Sequence, residues 1–120
     1  MKFYQYPKCS TCVKARKYLE ANDVDAQVIN IAEQAPSVEE LGLMLASYDG
    51  NLRKLFNTSG MQYRELDMKN RLPEMSDAEA LELLAQNGML VKRPFLLKGD
   101  SGIVGFKEAD WQEFLAYGAN

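Results

Sequence analysis

Hydrophobic and polar positions follow three different rhythms along the chain. Residues 3–6 (Phe-Tyr-Gln-Tyr) form a short aromatic run of the kind that makes a strand, and Pro7 stops it. Cys12, Ala15 and Leu19 then recur at helical spacing, with Tyr18 beside them and charges between, which predicts an amphipathic helix over residues 10–22. Residues 26–31 (AQVINI) read as a second strand. A strand, one compact helix and a strand make a βαβ unit, whose crossover is expected to be right-handed with parallel strands.

From Pro36 the rhythm turns helical. Ser37 followed by Glu40 is a capping box opening VEELGLMLAS, and Ser76 followed by Glu79 opens DAEALELLAQN, which Gly88 is expected to end. Residues 51–56 and 61–66 read as shorter helical pieces around the Asn57-Thr58-Ser59-Gly60 break. An all-helical insertion over about residues 36–88 is the expectation. Beyond it, residues 94–98 predict a strand, 99–102 a turn and 103–106 a second strand, together an antiparallel hairpin. Residues 108–117 close as a helix with Gly118 past its end. The fold class expected is α/β, a small mixed sheet built from βαβ and ββα halves. The aromatics Phe3, Tyr4, Phe95, Phe106, Trp111 and Phe114 follow these elements and are assigned mostly to the core or its rim.

Composition narrows the class. A chain of 120 residues, 47% hydrophobic and 26% charged, is globular in character and matches a single domain spanning residues 1–120. No apolar run approaches the roughly 20 residues of a membrane span, and the first ten residues lack the apolar stretch of a secretory signal. A cytoplasmic location with reduced thiols is expected, where a purely structural disulfide is out of place. The net charge of −3 is unevenly spread: Lys2, Lys8, Lys14, Arg16 and Lys17 stand in the first 17 residues with no acid, and the rest has 9 basic against 17 acidic residues. That basic cluster is short and has no interleaved aromatic platforms, so a solvated helix face is favoured over direct nucleic-acid binding. Histidine is absent, which removes Ser/His and Cys/His catalysis and every His-containing zinc site.

Both cysteines, Cys9 and Cys12, lie in the segment YPKCSTCVKARKYLE. At i, i+3 on a helix start their sulfurs share a face, so a disulfide between them is geometrically open. The unpaired N–H groups of the helix start favour a thiolate at Cys9, Lys8 adds positive charge, and Ser10 and Thr11 fill the loop. Cys12, in line with Ala15 and Leu19, should be the more buried. Cys9 would then attack and Cys12 resolve. A C-x-x-C that follows a strand and opens the helix of a βαβ unit is the thioredoxin-like redox pattern. Two buried, inert thiols are the competing reading. A zinc site finds only two of its usual four ligands here, so metal would need a second chain. Lys92-Arg93-Pro94 stands where a redox site of this kind has a proline just before a strand. A cis Arg93–Pro94 bond would turn Arg93 toward Cys9, and a plain strand-starting proline with a solvated arginine is the alternative.

These segments, with Phe56-Asn57-Thr58-Ser59-Gly60, Tyr63-Arg64-Glu65-Leu66 and Val104-Gly105-Phe106-Lys107-Glu108, resemble the thioredoxin-fold family of glutaredoxin-dependent arsenate reductases and the transcription regulators Spx and MgsR. The resemblance spans essentially the whole chain. It implies a thiol oxidoreductase with Cys9 as nucleophile, Arg93 as an oxyanion clamp, Pro94 as the cis-proline and Lys107 in a supporting place. A small oxyanion or disulfide would be the substrate, no cofactor is bound, and glutathione, glutaredoxin or thioredoxin would be the reductant. The family's arsenate reductases use two further arginines, and Asn57 and Lys107 hold those places here, which implies a weakened oxyanion pocket. The dithiol is instead similar to Spx and MgsR. That likeness implies a redox switch read by the RNA polymerase α subunit, with Gly50 at the contact; a helix stop explains the same glycine.

Overall fold

The computed structural model describes residues 1–117. Its first strand, β1 (Lys2–Gln5), runs into the α1 helix (Ser10–Ala21) and then β2 (Gln27–Asn30), which pairs parallel to β1 with Phe3 opposite Val28. After the helical segment come β3 (Phe95–Lys98) and β4 (Ser101–Val104) and the closing helix α6 (Glu108–Tyr117). The order across the sheet is β2-β1-β3-β4, with β3 antiparallel to both β1 and β4. This is the mixed α/β arrangement that the sequence pattern calls for. Gly118, expected just past α6, lies outside the described residues.

Alternation along the strands divides the core into two. Phe3 and Leu96 point to one face, where they meet Ala15 and Leu19 of α1 and Trp111 of α6. Tyr4, Phe95 and Leu97 point to the other face and bury against the helical segment through Leu41, Met44, Leu55 and Leu84. Each face has its own edge-to-face aromatic pair: Phe3 with Trp111 at 6.2 Å and Tyr4 with Phe95 at 5.6 Å between ring centroids. Phe106 and Phe114 sit at the margin of the first cluster, half-buried.

The helical segment holds α2 (Val38–Ser47), α3 (Met61–Glu65), α4 (Met68–Arg71) and α5 (Asp77–Ala85), with single 3-10 turns at Leu52–Leu55, Leu72–Glu74 and Gly88–Leu90. Both capping boxes form: Ser37 with Glu40 opens α2 and Ser76 with Glu79 opens α5. Glu40 also accepts from the buried Tyr4 hydroxyl at 2.6 Å and pairs with Lys2 at 2.9 Å, tying the start of α2 to β1. At the other end of α2, Ser47 Oγ accepts the Gly102 N–H and Tyr48 Oη accepts the Val104 N–H, each at 3.0 Å. None of the described helices is long and apolar enough to cross a membrane.

Several expectations need correction. The hairpin turn is two residues, Gly99 and Asp100, because Gly99 takes φ +60° and Ser101 already pairs with Lys98. Its second strand therefore ends at Val104 instead of Phe106, where Gly105 turns the chain at φ +70°. Helix α5 ends at Ala85, before Gly88. Gly88 is required for another reason: a Cβ there would run into the Ile31 carbonyl, so only glycine lets the two segments touch. The pattern also gives no sign of α4, which Asp67 enters from a left-handed φ of +54°.

Candidate active site

The chemistry gathers where β1 hands over to α1. Pro7 and Lys8 are exposed on the connecting turn, which is closed by the Cys9 N–H donating to the Tyr6 carbonyl at 3.0 Å. Cys9 is the N-cap of α1, with extended backbone angles (φ −88°, ψ 116°). Its sulfur takes the place of the usual capping oxygen and accepts the Cys12 N–H at 3.4 Å. A thiolate fits that position well, since it meets the orphan N–H groups and the positive end of the helix dipole. Cys12 is fully buried one turn in, beside Ala15 and Leu19 on the inward face. Both sulfurs are free thiols.

The two thiols ionise very differently. Partial burial resists a charge on Cys9. It is outweighed by the Cys12 thiol and N–H, the positive charge of Arg93 and the Thr11 N–H, which hold Cys9 below the ordinary thiol range. Burial pushes the Cys12 thiol up to about 12, with the neighbouring Cys9 adding to the rise. The surroundings thus favour the anion at Cys9 and the protonated thiol at Cys12. The cation that acts on Cys9 is Arg93; Lys8, adjacent in sequence, points to solvent.

Arg93 is held by groups that no local pattern announces. Its guanidinium donates to the Met89 carbonyl at 2.9 Å and lies over the Tyr6 ring, 5.6 Å from the centroid. The Arg93 Nε is buried and has no partner among the described residues. The Arg93–Pro94 peptide bond is cis, and Pro94 is buried where β3 begins. The Pro94 carbonyl accepts the Gly105 N–H, and the Gly105 carbonyl in turn accepts the Trp111 indole at 2.8 Å.

A cleft of about 820 Å³ opens next to this corner, with Thr11 and Arg93 in its wall. Lys107 lines it as well, from the exposed turn before α6. Asn57 does not. It is half-buried in its own loop, its N–H bonded to the Leu90 carbonyl and its side chain packed so closely on Gly60 that a Cβ there would collide with it. Ser10 is exposed on the first turn of α1. Gly50 is not in the cleft wall but lies between Tyr48 and Asn51, which are; it is exposed beyond α2 with φ +82°, a left-handed turn after a helix end that favours glycine. No three His, Cys, Asp or Glu side chains converge as metal ligands among the described residues. Sequence reading missed Tyr6, Arg53, Lys54 and Lys92 as members of this corner. Lys92 had a signal in its place beside Arg93, whereas Arg53 and Lys54 arrive only through the path of the helical segment.

The mixed sheet, with Cys9 capping the helix after its first strand and a cis Arg93–Pro94 bond leading into β3, is a thioredoxin-like fold. The chain belongs to the ArsC family, which it matches over residues 4–114. It is 52% identical to YusI of Bacillus subtilis over 92% of this chain and 94% of that one. It is also 29% identical to the global transcriptional regulator Spx of Streptococcus pyogenes, over 92% of this chain and 81% of Spx. Among solved structures it is similar to an ArsC family related protein from Bacteroides fragilis, with 43% identity, TM-score 0.86, and 94% and 97% of the two chains covered. The arsenate reductase of Vibrio cholerae is similar at 25% identity, TM-score 0.77, over 96% and 94%.

Proposed function

We propose that this protein is a thiol-dependent oxidoreductase in which the Cys9 thiolate attacks an oxidised acceptor and Cys12 resolves the product. The observation that carries the reading is the Cys9 sulfur at the N-cap of α1, accepting the Cys12 N–H with Arg93 close enough to favour its charge. Attack by Cys9 forms a covalent intermediate; the buried Cys12 thiol then releases it by forming a Cys9–Cys12 disulfide. Glutathione, glutaredoxin or thioredoxin would return the pair to its reduced state.

Inorganic arsenate is a poor match for the acceptor. Of the three arginine places implied by the reductases, only Arg93 is filled by arginine, and Asn57 is turned into its own loop. A disulfide or sulfenic acid is the better candidate, because thiol exchange needs the low-pKa sulfur and no three-armed oxyanion clamp. Turnover of arsenate and of small disulfides, with each of the three reductants, tests the reading. Equal, slow turnover by wild type and Cys9→Ser would end it.

A second reading rests on the likeness to Spx and to the regulatory protein MgsR of Bacillus subtilis, which is 26% identical over 90% of this chain. In it the Cys9–Cys12 disulfide alters a surface, with Gly50 at its contact, read by the RNA polymerase α subunit in the cytoplasm. Co-purification with that subunit under oxidising and reducing conditions decides the matter. Absence of binding in both states removes the regulator reading.

A further inference from the structure

The cleft beside Cys9 has a charge its chain does not lead one to expect. The protein is acidic overall, with 17 Asp and Glu against 14 Lys and Arg. Yet Arg53, Lys54, Lys92, Arg93 and Lys107 all line this one cleft, and Asp110 is its sole acid. These cations come from three separate stretches: the 3-10 turn before Phe56, the approach to β3 and the turn into α6. A solvated helix face cannot account for such convergence. None of the five forms an ion pair among the described residues, where Lys2–Glu40 and Arg16–Glu20 are the pairs found. Asp110 alone in the lining offsets the positive field.

Size decides what kind of anion fits. A tetrahedral oxyanion displaces the volume of only a few waters, at about 30 Å³ each. The cleft, at about 820 Å³, lies near the top of the roughly 300–1,000 Å³ range of sites for larger ligands. Clustered Arg and Lys side chains around an extended groove are the usual means of reading acidic peptide motifs. A nucleic-acid strand is disfavoured. Of the aromatics lining the cleft, Trp111 and Phe56 are buried and Phe106 is engaged by Tyr18 and Trp111. The half-buried Tyr48 has its hydroxyl bonded to the Val104 N–H, and the acidic body repels a polyanion. Cys9 is not in the cleft wall, but two groups that act on its sulfur, the Thr11 N–H and Arg93, belong to residues that are.

We infer that the cleft binds an acidic peptide segment of a partner protein and presents that segment's disulfide to Cys9. This rests on the thiol chemistry proposed above and names its substrate class. The Cys9 thiolate attacks one substrate sulfur, so that a Cys9–substrate disulfide forms as the substrate S–S bond breaks. The other substrate sulfur leaves with the electron pair and takes a proton from solvent. Cys12 then gives up its proton and attacks Cys9, closing the Cys9–Cys12 disulfide and releasing the second substrate sulfur, which is protonated in turn. The substrate disulfide is reduced to two thiols and the cysteine pair is oxidised. A cytoplasmic low-molecular-weight thiol or a dithiol protein is the reductant for further cycles.

The test uses two peptides with the same disulfide loop, one flanked by four Glu and the other by four Gln. Binding is measured by fluorescence anisotropy on Cys9→Ser, and single-turnover reduction on reduced wild type. Both readouts are expected to favour the Glu peptide about tenfold, as a few exposed ion pairs would give. The preference should shrink between about 50 mM and about 300 mM salt. In Arg53→Gln/Lys54→Gln the Glu-to-Gln ratio should fall toward one; using a ratio cancels any general loss of reactivity. Equal binding of the two peptides overturns the inference, as does tighter binding of a mixed-sequence single-stranded oligonucleotide that the double variant abolishes. Selective binding of the Glu peptide with no reduction supports the acidic-peptide site and overturns the thiol chemistry, so the two failures are told apart.

Discussion

The guanidinium of Arg93 lies over the ring of Tyr6, 5.6 Å from its centroid, and so joins the residue just after β1 to the cis Arg93–Pro94 step that leads into β3. The stacked ring and the Met89 carbonyl hold the side chain from two sides, and the charge so fixed favours the Cys9 anion. Removing that charge while keeping the side chain's bulk should therefore raise the Cys9 pKa. In Arg93→Met the midpoint of iodoacetamide reactivity should move to higher pH and the rate at pH 7 should drop. Tyr6→Leu, which loosens Arg93 without removing its charge, should give a smaller shift of the same sign. An unchanged midpoint in Arg93→Met would assign the thiolate to the helix start alone.

The two cysteines should differ sharply toward alkylation. At pH 7 a limiting dose of iodoacetamide should modify Cys9 and leave Cys12 untouched until the chain unfolds, as read by peptide mass mapping. The difference carries into stability. Cys12 is raised to about 12 when folded, against about 8.5 unfolded, so its contribution is present below pH 8.5 and is lost as pH rises toward 12. Cys9 runs the other way: its folded pKa is lowered, so its contribution is present above the unfolded value and is lost as pH falls through the folded one. Cys12→Ala should flatten the loss of urea resistance at high pH. At pH 7 it should cost on the order of 1 kcal/mol, for the small cavity left.

Glu40 should make an acid-sensitive contribution. Burial opposes its charge, but the Tyr4 hydroxyl, the Ser37 N–H and Lys2 together lower its carboxyl below the usual range. That stability is present above the unfolded value of about 4.3 and is lost as pH falls through the folded value. Glu40→Gln replaces a charge-assisted bond to buried Tyr4 with a neutral one and should cost about 1 kcal/mol at pH 7. Urea midpoints of wild type and variant should converge as pH falls below the folded value.

Trp111 supports the corner from below. Trp111→Phe keeps most of the packing on Phe3 but leaves the Gly105 carbonyl without its donor, at a cost of about 1 kcal/mol. Trp111→Ala also empties the core on that face and should cost about 3–5 kcal/mol. Urea denaturation at pH 7 measures both, and equal losses in the two variants would show that the indole bond, rather than the ring's bulk, does the supporting.

The parts of the fold legible in the sequence are those set by neighbours along the chain. The boxes at Ser37/Glu40 and Ser76/Glu79 are closed by residues three apart, and the cap at Cys9 is of the same local kind. Gly88 shows the opposite case: its reason is the carbonyl of Ile31, far away in sequence, so a helix-stop reading was the one local chemistry could offer. The end of β4 at Gly105 depends similarly on bonds to Pro94 and Trp111. The candidate site divides along the same line. Cys9 and Cys12 announce themselves through spacing and the start of a helix, but the ring beneath Arg93 and the cations at Arg53 and Lys54 come from chain paths that no periodicity encodes.

The bonds from Ser47 and Tyr48 to the amides of Gly102 and Val104 occupy the donors that an incoming strand would need along β4. That border of the sheet is sealed from within the molecule, so the protein cannot serve there as a template for another chain. The opposite border, β2, has no such seal at Val28, which is 53% exposed. Of the two borders, β2 is therefore the one where an added strand would meet less obstruction among the described residues.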